Sequence, residues 1–233
     1  MLTKYSTLPN LNQLASCHLR EACYYAAGAK CAVLVPDYRL APEHPFPAAS
    51  DDSFAALQWA FDHSAMLNID PTRIAVGGDS AGGHLAAVTT QRAREEGPSI
   101  KMQVLVYPVT DTYQETETYR SRGEGYFLTH ASMAWFIDSY LNDPSERDDP
   151  RASPIRAKSF EGLPPAVMCT AGFDPLCDEG AAYAEKLKAA GVDVDYVNYP
   201  GQIHGFVSMG GAIDEGREFL DRACAALRQS FGT

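Results

Sequence analysis

The sequence predicts an α/β fold of the doubly wound type, in which a mostly parallel sheet is flanked by helices on both faces. Short apolar runs alternate along the chain with segments in which apolar residues recur every three or four positions. Most of the runs are nearly continuously apolar, which is typical of strands that are buried on both faces of a parallel sheet. With 233 residues the chain is long enough for one such domain, predicted over residues 1–233.

The apolar runs predict five strands, of which the last alternates apolar and polar residues. In chain order the strands are predicted over residues 31–35, 74–76, 102–106, 166–170 and 192–197. Between them, Phe54, Leu57 and Phe61 share one face of a predicted helix that begins near Pro47. Further helices are predicted over residues 85–94, over residues 181–190, and around Leu220, Cys224 and Leu227.

Residues 111–164 interrupt this alternation. They contain no convincing strand and one helical segment, residues 132–140, among many turn-forming residues. A segment of this length within an α/β domain is typical of a lid or a binding segment. Ordinary surface elaboration is the alternative, and the pattern favours neither over the other.

Composition and charge exclude several classes of protein. A net charge of −11 and a pI of about 4.9 disfavour a nucleic-acid partner and predict a soluble protein. The six cysteines form no Cys-x-x-Cys pair and no metal-ligand spacing with histidine, so reduced and mostly buried thiols are expected. No apolar run is long enough to span a membrane, and residues 1–7 lack the apolar core of a signal peptide. We therefore expect a cytoplasmic protein.

The segment Gly78-Asp79-Ser80-Ala81-Gly82 follows the second predicted strand and precedes a predicted helix. This order predicts a nucleophile elbow, a sharp turn that exposes a serine at a helix N-terminus. Glycine is expected two positions before and after Ser80 because side chains there would collide with neighbouring backbone. The alternative is a phosphate-binding turn, but the chain has neither a Gly-x-x-x-x-Gly-Lys nor a Gly-x-Gly-x-x-Gly spacing.

Two further residues are predicted to activate Ser80, because a nucleophilic serine needs a base and a carboxylate that orients this base. Asp174 and His204 each follow a predicted strand, in the chain order serine, acid, histidine. Asp178 and Glu179 are rival acids, but they open the next predicted helix, where acidic residues favour the helix dipole. The other histidines lie in helical patterns or away from the strand ends.

Through these residues and several further motifs, the chain resembles the hormone-sensitive-lipase-like family of α/β-hydrolases, the bacterial family IV esterases. The resemblance begins near residue 11 and extends to the C-terminal end. Besides the GDSAG elbow, it rests on residues 37–48 (DYRLAPEHPFPA), 149–154 (DPRASP), 162–165 (GLPP), 173–179 (FDPLCDE) and 204–206 (HGF).

The resemblance implies a carboxylic ester hydrolase for short- to medium-chain acyl esters of small molecules. Ser80, His204 and Asp174 would be the catalytic triad, and no metal or cofactor would be required. The backbone N–H of Ala81 would be one donor of the oxyanion hole. The resemblance further implies that residues 111–164 are the second part of a lid, and that the last strand and helix could form a homodimer.

One expected motif is absent. The family carries its other oxyanion donors on a His-Gly-Gly-Gly loop, and this sequence contains no such run. The family's first lid segment and first three strands have no counterpart either. We expect an N-terminal truncation or a frame shift. The alternatives are a shortened variant that recruits donors from residues 1–10 and a non-catalytic relative. Loss of one oxyanion donor typically costs about 100- to 1,000-fold in turnover, so the shortened variant could still be weakly active. We expect much lower esterase activity than that of a full-length relative.

Two other functions remain open on the same fold. A ligand-binding relative is expected to lack the catalytic histidine, so the presence of His204 argues against it. An amidase or peptidase would use the same triad, and the sequence does not distinguish it from an esterase.

Overall fold

The computed structural model describes residues 14–233, with side chains from residue 20 onward. Within this range a parallel four-stranded sheet has its strands in chain order. The strands are β1 (Ala75–Asp79), β2 (Met102–Val106), β3 (Ala166–Phe173) and β4 (Val194–Ile203). The longer helices are α1 (Leu14–Ala29), α2 (Ala48–Asp62), α4 (Ala81–Glu96), α6 (His130–Tyr140), α7 (Cys177–Ala189) and α8 (Asp214–Phe231), and the short ones are α3 (Ser64–Leu67) and α5 (Glu117–Ser121). The predicted α/β fold, a parallel sheet flanked by helices, is confirmed.

Four of the five predicted strands are present. The second, fourth and fifth extend several residues further toward their carboxyl ends than their apolar runs indicate, to Asp79, Phe173 and Ile203. These extensions contain polar residues and glycine because the carboxyl ends of the strands leave the core and approach the candidate site. A pattern based on apolar residues therefore ends too early at this edge of the sheet.

The remaining prediction, a strand over residues 31–35, is wrong. The segment has no secondary structure, although it is mostly half-buried and Val33 packs against the core that contains α8. An apolar run indicates burial, but a strand also requires a neighbouring strand with which to exchange backbone hydrogen bonds. No strand of the sheet within residues 14–233 pairs with this segment.

The sheet separates two apolar cores. On β2, Leu105 packs into one core while Val104 and Val106 pack into the other, as expected from the alternation of side chains along a strand. The first core includes Phe54 and Leu57 of α2, together with residues of α4 and α7. The second includes residues of α1 and the predicted face of α8, Leu220, Cys224 and Leu227.

The helices follow the predicted pattern with small differences. In α2, Phe54 and Leu57 are buried, but Phe61 near the end of the helix is 39% exposed and does not share the buried face. Helix α7 begins at Cys177, before the predicted residues 181–190, because its acidic first turn suits a helix N-terminus. Within residues 14–233, no helix combines the length and the apolar composition that a membrane span requires.

Residues 111–164 contain helices and turns and no strand, as predicted, and the structure describes all of them. The predicted helix at 132–140 is α6, which begins at His130 after the capping side chain of Thr129. Met133 and Ile137 of α6 form a small apolar cluster with Val109 and Leu176, which lie beyond the carboxyl ends of β2 and β3. This cluster places α6 beside the carboxyl edge of the sheet.

Candidate active site

Ser80 lies in a sharp turn between β1 and α4. Its backbone angles, φ 54° and ψ −117°, are strained for a residue other than glycine. The N–H of Ser80 donates to the carbonyl of Val106 at 2.9 Å, so the turn is attached to the end of the neighbouring strand β2. This is the backbone expected of a nucleophile elbow.

Of the two glycines that lie two positions from Ser80, only Gly78 is required by close backbone contact. A Cβ on Gly78 would lie 2.4 Å from the carbonyl carbon and oxygen of Gly82, a distance that no side chain tolerates. A Cβ on Gly82 would meet nothing nearer than 3.9 Å, so the predicted collision at Gly82 is wrong. The second tight position is Gly83, where a Cβ would lie 2.9 Å from the Cβ of Pro108.

The fold brings Ser80, His204 and Asp174 together although they are far apart in the chain. His204 Nε2 lies 2.9 Å from Ser80 Oγ, and His204 Nδ1 lies 2.7 Å from Asp174 Oδ2. The Asp174 side chain is completely buried, and its other oxygen accepts the N–H of Leu176 at 2.9 Å. With Nδ1 protonated toward Asp174, Nε2 is free to accept the hydroxyl proton of Ser80.

The rival acids have other partners. Asp178 Oδ2 accepts the N–H of Thr118 at 3.0 Å. Glu179 Oε1 accepts the N–H groups of Thr110 and Asp111 at 2.7 and 3.2 Å. Burial raises the pKa of Glu179 well above its ordinary value. Asp178 therefore holds the first turn of α5 and Glu179 holds the loop after β2, and Asp174 is the acid in contact with His204.

The N–H of Ala81 is the expected oxyanion donor. Ala81 is the first residue of α4, and the first N–H groups of a helix have no acceptor within the helix. The position next to Ser80 leaves this N–H free to face a group bound at Ser80 Oγ. Its role remains a prediction.

A cleft of about 370 Å³ extends from Ser80 and Ala81. Buried His84 forms part of its wall, and burial lowers the pKa of His84 to about 4, so this ring is neutral near pH 7. Most of the wall is apolar and comes from α6 and its surroundings, with Leu40, Leu85, Val109, Leu128, Met133, Trp135, Phe136 and Ile137. A somewhat larger cleft of about 460 Å³ lies at the amino end of β1, between residues 31–34 and 73–75, at the opposite end of the strand from Ser80.

Among the side chains of residues 20–233, no group of three or more His, Cys, Asp or Glu residues is placed to hold a metal ion. One residue that sequence analysis did not single out is in direct contact with His204. The ring of Tyr107 lies 4.6 Å from the imidazole, measured between centroids. A tyrosine that follows an apolar strand carries no sequence signal for such a role.

Known proteins resemble this chain in sequence and in fold. A family model described as an alpha/beta hydrolase fold matches residues 12–208. The carboxylic ester hydrolase LipN of Mycobacterium tuberculosis is 48% identical over 185 residues, which cover 76% of this chain and 49% of that protein. An ethyl acetate hydrolase of Pseudomonas putida is 40% identical, with coverage of 88% of this chain and 65% of that protein.

Among solved structures, the thermostable carboxylesterase EstE1 from a metagenomic library superimposes with a TM-score of 0.91 at 41% sequence identity. The superposition covers 99% of this chain and 79% of EstE1. By sequence, the chain spans between about half and two thirds of the length of the relatives it matches, from 49% of LipN to 66% of the M. tuberculosis carboxylesterase NlhH.

Proposed function

Because this chain belongs to the α/β-hydrolase fold family, we propose that it hydrolyses carboxylic esters with short- to medium-length acyl chains. The observation that carries the proposal is the hydrogen-bonded series from Ser80 through His204 to buried Asp174, at the mouth of an apolar cleft. Relatives of this chain that are named as ester hydrolases support it. The arrangement contains a nucleophile, a base and an acid that orients the base.

The reaction begins with transfer of the hydroxyl proton of Ser80 to His204 Nε2, while Ser80 Oγ attacks the carbonyl carbon of the ester. Asp174 holds the proton on Nδ1 and stabilises the imidazolium that forms. His204 then donates its new proton to the leaving alcohol, and the acyl group remains on Ser80. Water, deprotonated by His204, attacks this acyl-enzyme; the bond to Ser80 Oγ then breaks, His204 returns the proton to Ser80 Oγ, and the carboxylic acid is released.

Negative charge develops on the carbonyl oxygen in both steps, and the N–H of Ala81 is proposed to stabilise it. The sequence has no His-Gly-Gly-Gly run to supply further donors. The expectation of much lower esterase activity than that of a full-length relative stays a prediction. A kcat equal to that of such a relative on the same ester would contradict it.

The substrate class follows from the cleft. Its walls are mostly aliphatic and aromatic side chains, and its volume of about 370 Å³ suits a short or medium acyl chain. We propose that residues 111–164 act as a lid segment, since α6 supplies Met133, Trp135, Phe136 and Ile137 to this wall. A change in acyl-chain preference after substitution of Ile137 would support this role, and an unchanged preference would oppose it.

Two finer expectations also stay proposals. A homodimer through β4 and α8 would be detected by analytical ultracentrifugation, and a single monomeric species would contradict it. A cytoplasmic location is supported by the free thiols of Cys23, Cys31, Cys169, Cys177 and Cys224. Cell fractionation tests it.

The proposed function is tested by hydrolysis of p-nitrophenyl butyrate. We expect a kcat about 10⁶-fold lower for Ser80→Ala, and about 10⁴-fold lower for Asp174→Asn because the imidazole tautomer is no longer held. The matched control is Asp178→Asn, the rival acid outside the series, which should leave the rate unchanged. Activity retained by Ser80→Ala, or an equal loss in Asp174→Asn and Asp178→Asn, would overturn the assignment.

A further inference from the structure

Tyr107 follows the last residue of β2 and is buried against His204, with 1% of its surface exposed. Its φ angle is +34°, in a region that residues other than glycine rarely adopt. A strained backbone of this kind persists only where the surrounding structure holds it, and such residues are concentrated at functional sites. The strain at Tyr107 therefore indicates that the contacts of its side chain matter for the site.

The Tyr107 ring contacts the His204 ring in addition to the two hydrogen bonds made by the imidazole nitrogens. Asp174 and Ser80 bond to the two ring nitrogens and so act in the plane of the imidazole. The two ring centroids are 4.6 Å apart and the planes are inclined by 53°. This separation lies within the distance of about 6 Å at which an aromatic face attracts a cation.

Several contacts hold the Tyr107 ring in this position. The backbone N–H of Tyr107 donates to the carbonyl of Cys169 at 2.8 Å. The Tyr107 ring packs edge-on against the ring of Phe206, with 5.8 Å between the two centroids. The next residue, Pro108, approaches Gly83 of α4 closely. Burial, together with the nearby acids Asp79 and Glu21, raises the pKa of the Tyr107 hydroxyl well above its ordinary value, so the ring remains a neutral phenol.

We propose that Tyr107 is a positioning residue whose ring face stabilises the protonated imidazole of His204 and fixes the plane of that ring. The inference rests on the proposed function, in which His204 becomes a cation each time it takes the proton of Ser80 or of water. Tyr107 neither gains nor loses a proton. Its contribution is largest in the transition state, because the positive charge on His204 develops there.

Other titratable groups surround this pair. They are Asp174 after β3, Asp79 at the end of β1, Glu21 in α1, which bonds to Ser208, and the thiol of Cys169 in β3. These groups remain in place when only the Tyr107 ring is changed. A shift in the protonation of His204 between ring variants therefore reports on the ring.

The test compares three replacements of Tyr107: phenylalanine, leucine and pentafluorophenylalanine, which keeps the ring's shape but reverses the charge distribution of its face. His204 is active when neutral, so kcat/KM rises with pH through its protonation midpoint. Stabilisation of the cation raises this midpoint. We expect Tyr107→Phe to keep the wild-type midpoint, and Tyr107→Leu to lower it by about half a pH unit, a roughly threefold change in the protonation equilibrium.

Pentafluorophenylalanine should lower the midpoint at least as far as leucine does and reduce the maximal kcat/KM. It decides the question if Tyr107→Leu fails to fold. Tyr183→Leu is the matched control, since Tyr183 is equally buried but lies in the core on the other face of the sheet. Its midpoint should equal that of the wild type.

The same midpoint can be read from the His204 imidazole resonances by NMR without any turnover. A wild type that hydrolyses no ester would therefore refute the proposed function and still leave the role of Tyr107 open to measurement. Wild-type midpoints in both the leucine and the pentafluorophenylalanine variants would overturn the inference.

Discussion

At the scale of single residues, the candidate site depends on Gly78. The backbone of Gly82 lies where a side chain of residue 78 would be, because the turn at Ser80 folds the start of α4 back onto β1. The strained φ of Ser80 is maintained by this close contact. A methyl group added at residue 78 would therefore displace Ser80.

Replacing Gly78 with alanine is expected to lower the free energy of unfolding by about 1–3 kcal/mol, because the backbone must move to accept the methyl group. Ester hydrolysis should fall with it. Gly82→Ala is the matched control, since the nearest atom would be 3.9 Å away and alanine favours the helix by up to about 1 kcal/mol. Urea denaturation of both variants measures the difference, and equal destabilisation would contradict this explanation of the elbow.

The sequence predicts the residues of the site that carry a local signal. Ser80 lies in a recognisable turn motif, and Asp174 and His204 follow strands in a known order. Tyr107 could not be predicted, because its strained φ and its contact with His204 arise only when β2 is placed beside the turn after β1. The sequence places Glu179 at a helix N-terminus and carries no signal for its bonds to the loop after β2.

At the scale of elements, Glu179 joins α7 to the loop after β2. Its carboxylate accepts two N–H groups from that loop, and its backbone carbonyl accepts the hydroxyl of Thr110 at 2.9 Å. The same loop contains Val109, which lines the cleft beside Ser80. The buried acid thus holds together two segments that flank the candidate site.

Glu179 makes the free energy of unfolding fall as the pH rises. Its raised pKa means that the folded protein binds this proton more strongly than the unfolded chain does. The stabilisation is complete below the unfolded value of about 4.3 and declines as the pH rises toward the folded value. Urea denaturation between pH 4 and pH 9 should show this decline in the wild type.

Glu179→Gln should show a smaller decline, because glutamine keeps an oxygen for the N–H groups of Thr110 and Asp111 and cannot ionise. Asp178→Asn, a neighbouring acid on the same helix, is the control and should keep the wild-type pH dependence. Identical pH profiles for wild type and Glu179→Gln would contradict the account of this buried acid.

The elements also show where a sequence pattern ceases to be sufficient. The run at 102–106 coincides with β2, which is buried between two neighbouring strands. The run at 31–35 is as apolar but forms no strand. The pattern of apolar residues indicates which segments are buried. Whether a buried segment forms a strand depends on the backbone that lies beside it, and the whole fold determines this neighbour.

At the scale of the molecule, one sheet joins two cores. Leu105 and Met168 face one core, while Val104, Val106 and Cys169 face the other. Neither core can lose its packing without disturbing the strands that support both. We therefore expect residues 14–233 to unfold as one cooperative unit.

Leu105→Ala is expected to lower the free energy of unfolding by about 2–5 kcal/mol, since the completely buried side chain leaves a cavity between the sheet and its helices. Leu67→Ala is the control, because Leu67 is among the exposed apolar residues and its loss should cost little. Urea denaturation followed by circular dichroism and by tryptophan fluorescence should give coincident transitions. Separate transitions, or equal effects of the two substitutions, would contradict the description of one sheet with two dependent cores.

Covalent labelling tests directly whether Ser80 is an activated nucleophile, because the experiment does not depend on which ester is the substrate. A fluorophosphonate probe reacts with serines that an adjacent base activates, and mass spectrometry of the digested protein identifies the modified residue. We predict one phosphonylated residue, Ser80, with labelling lost in Ser80→Ala and strongly slowed in His204→Ala. A folded wild-type protein that remains unlabelled, or that is labelled at another serine, would show that Ser80 is not the activated nucleophile.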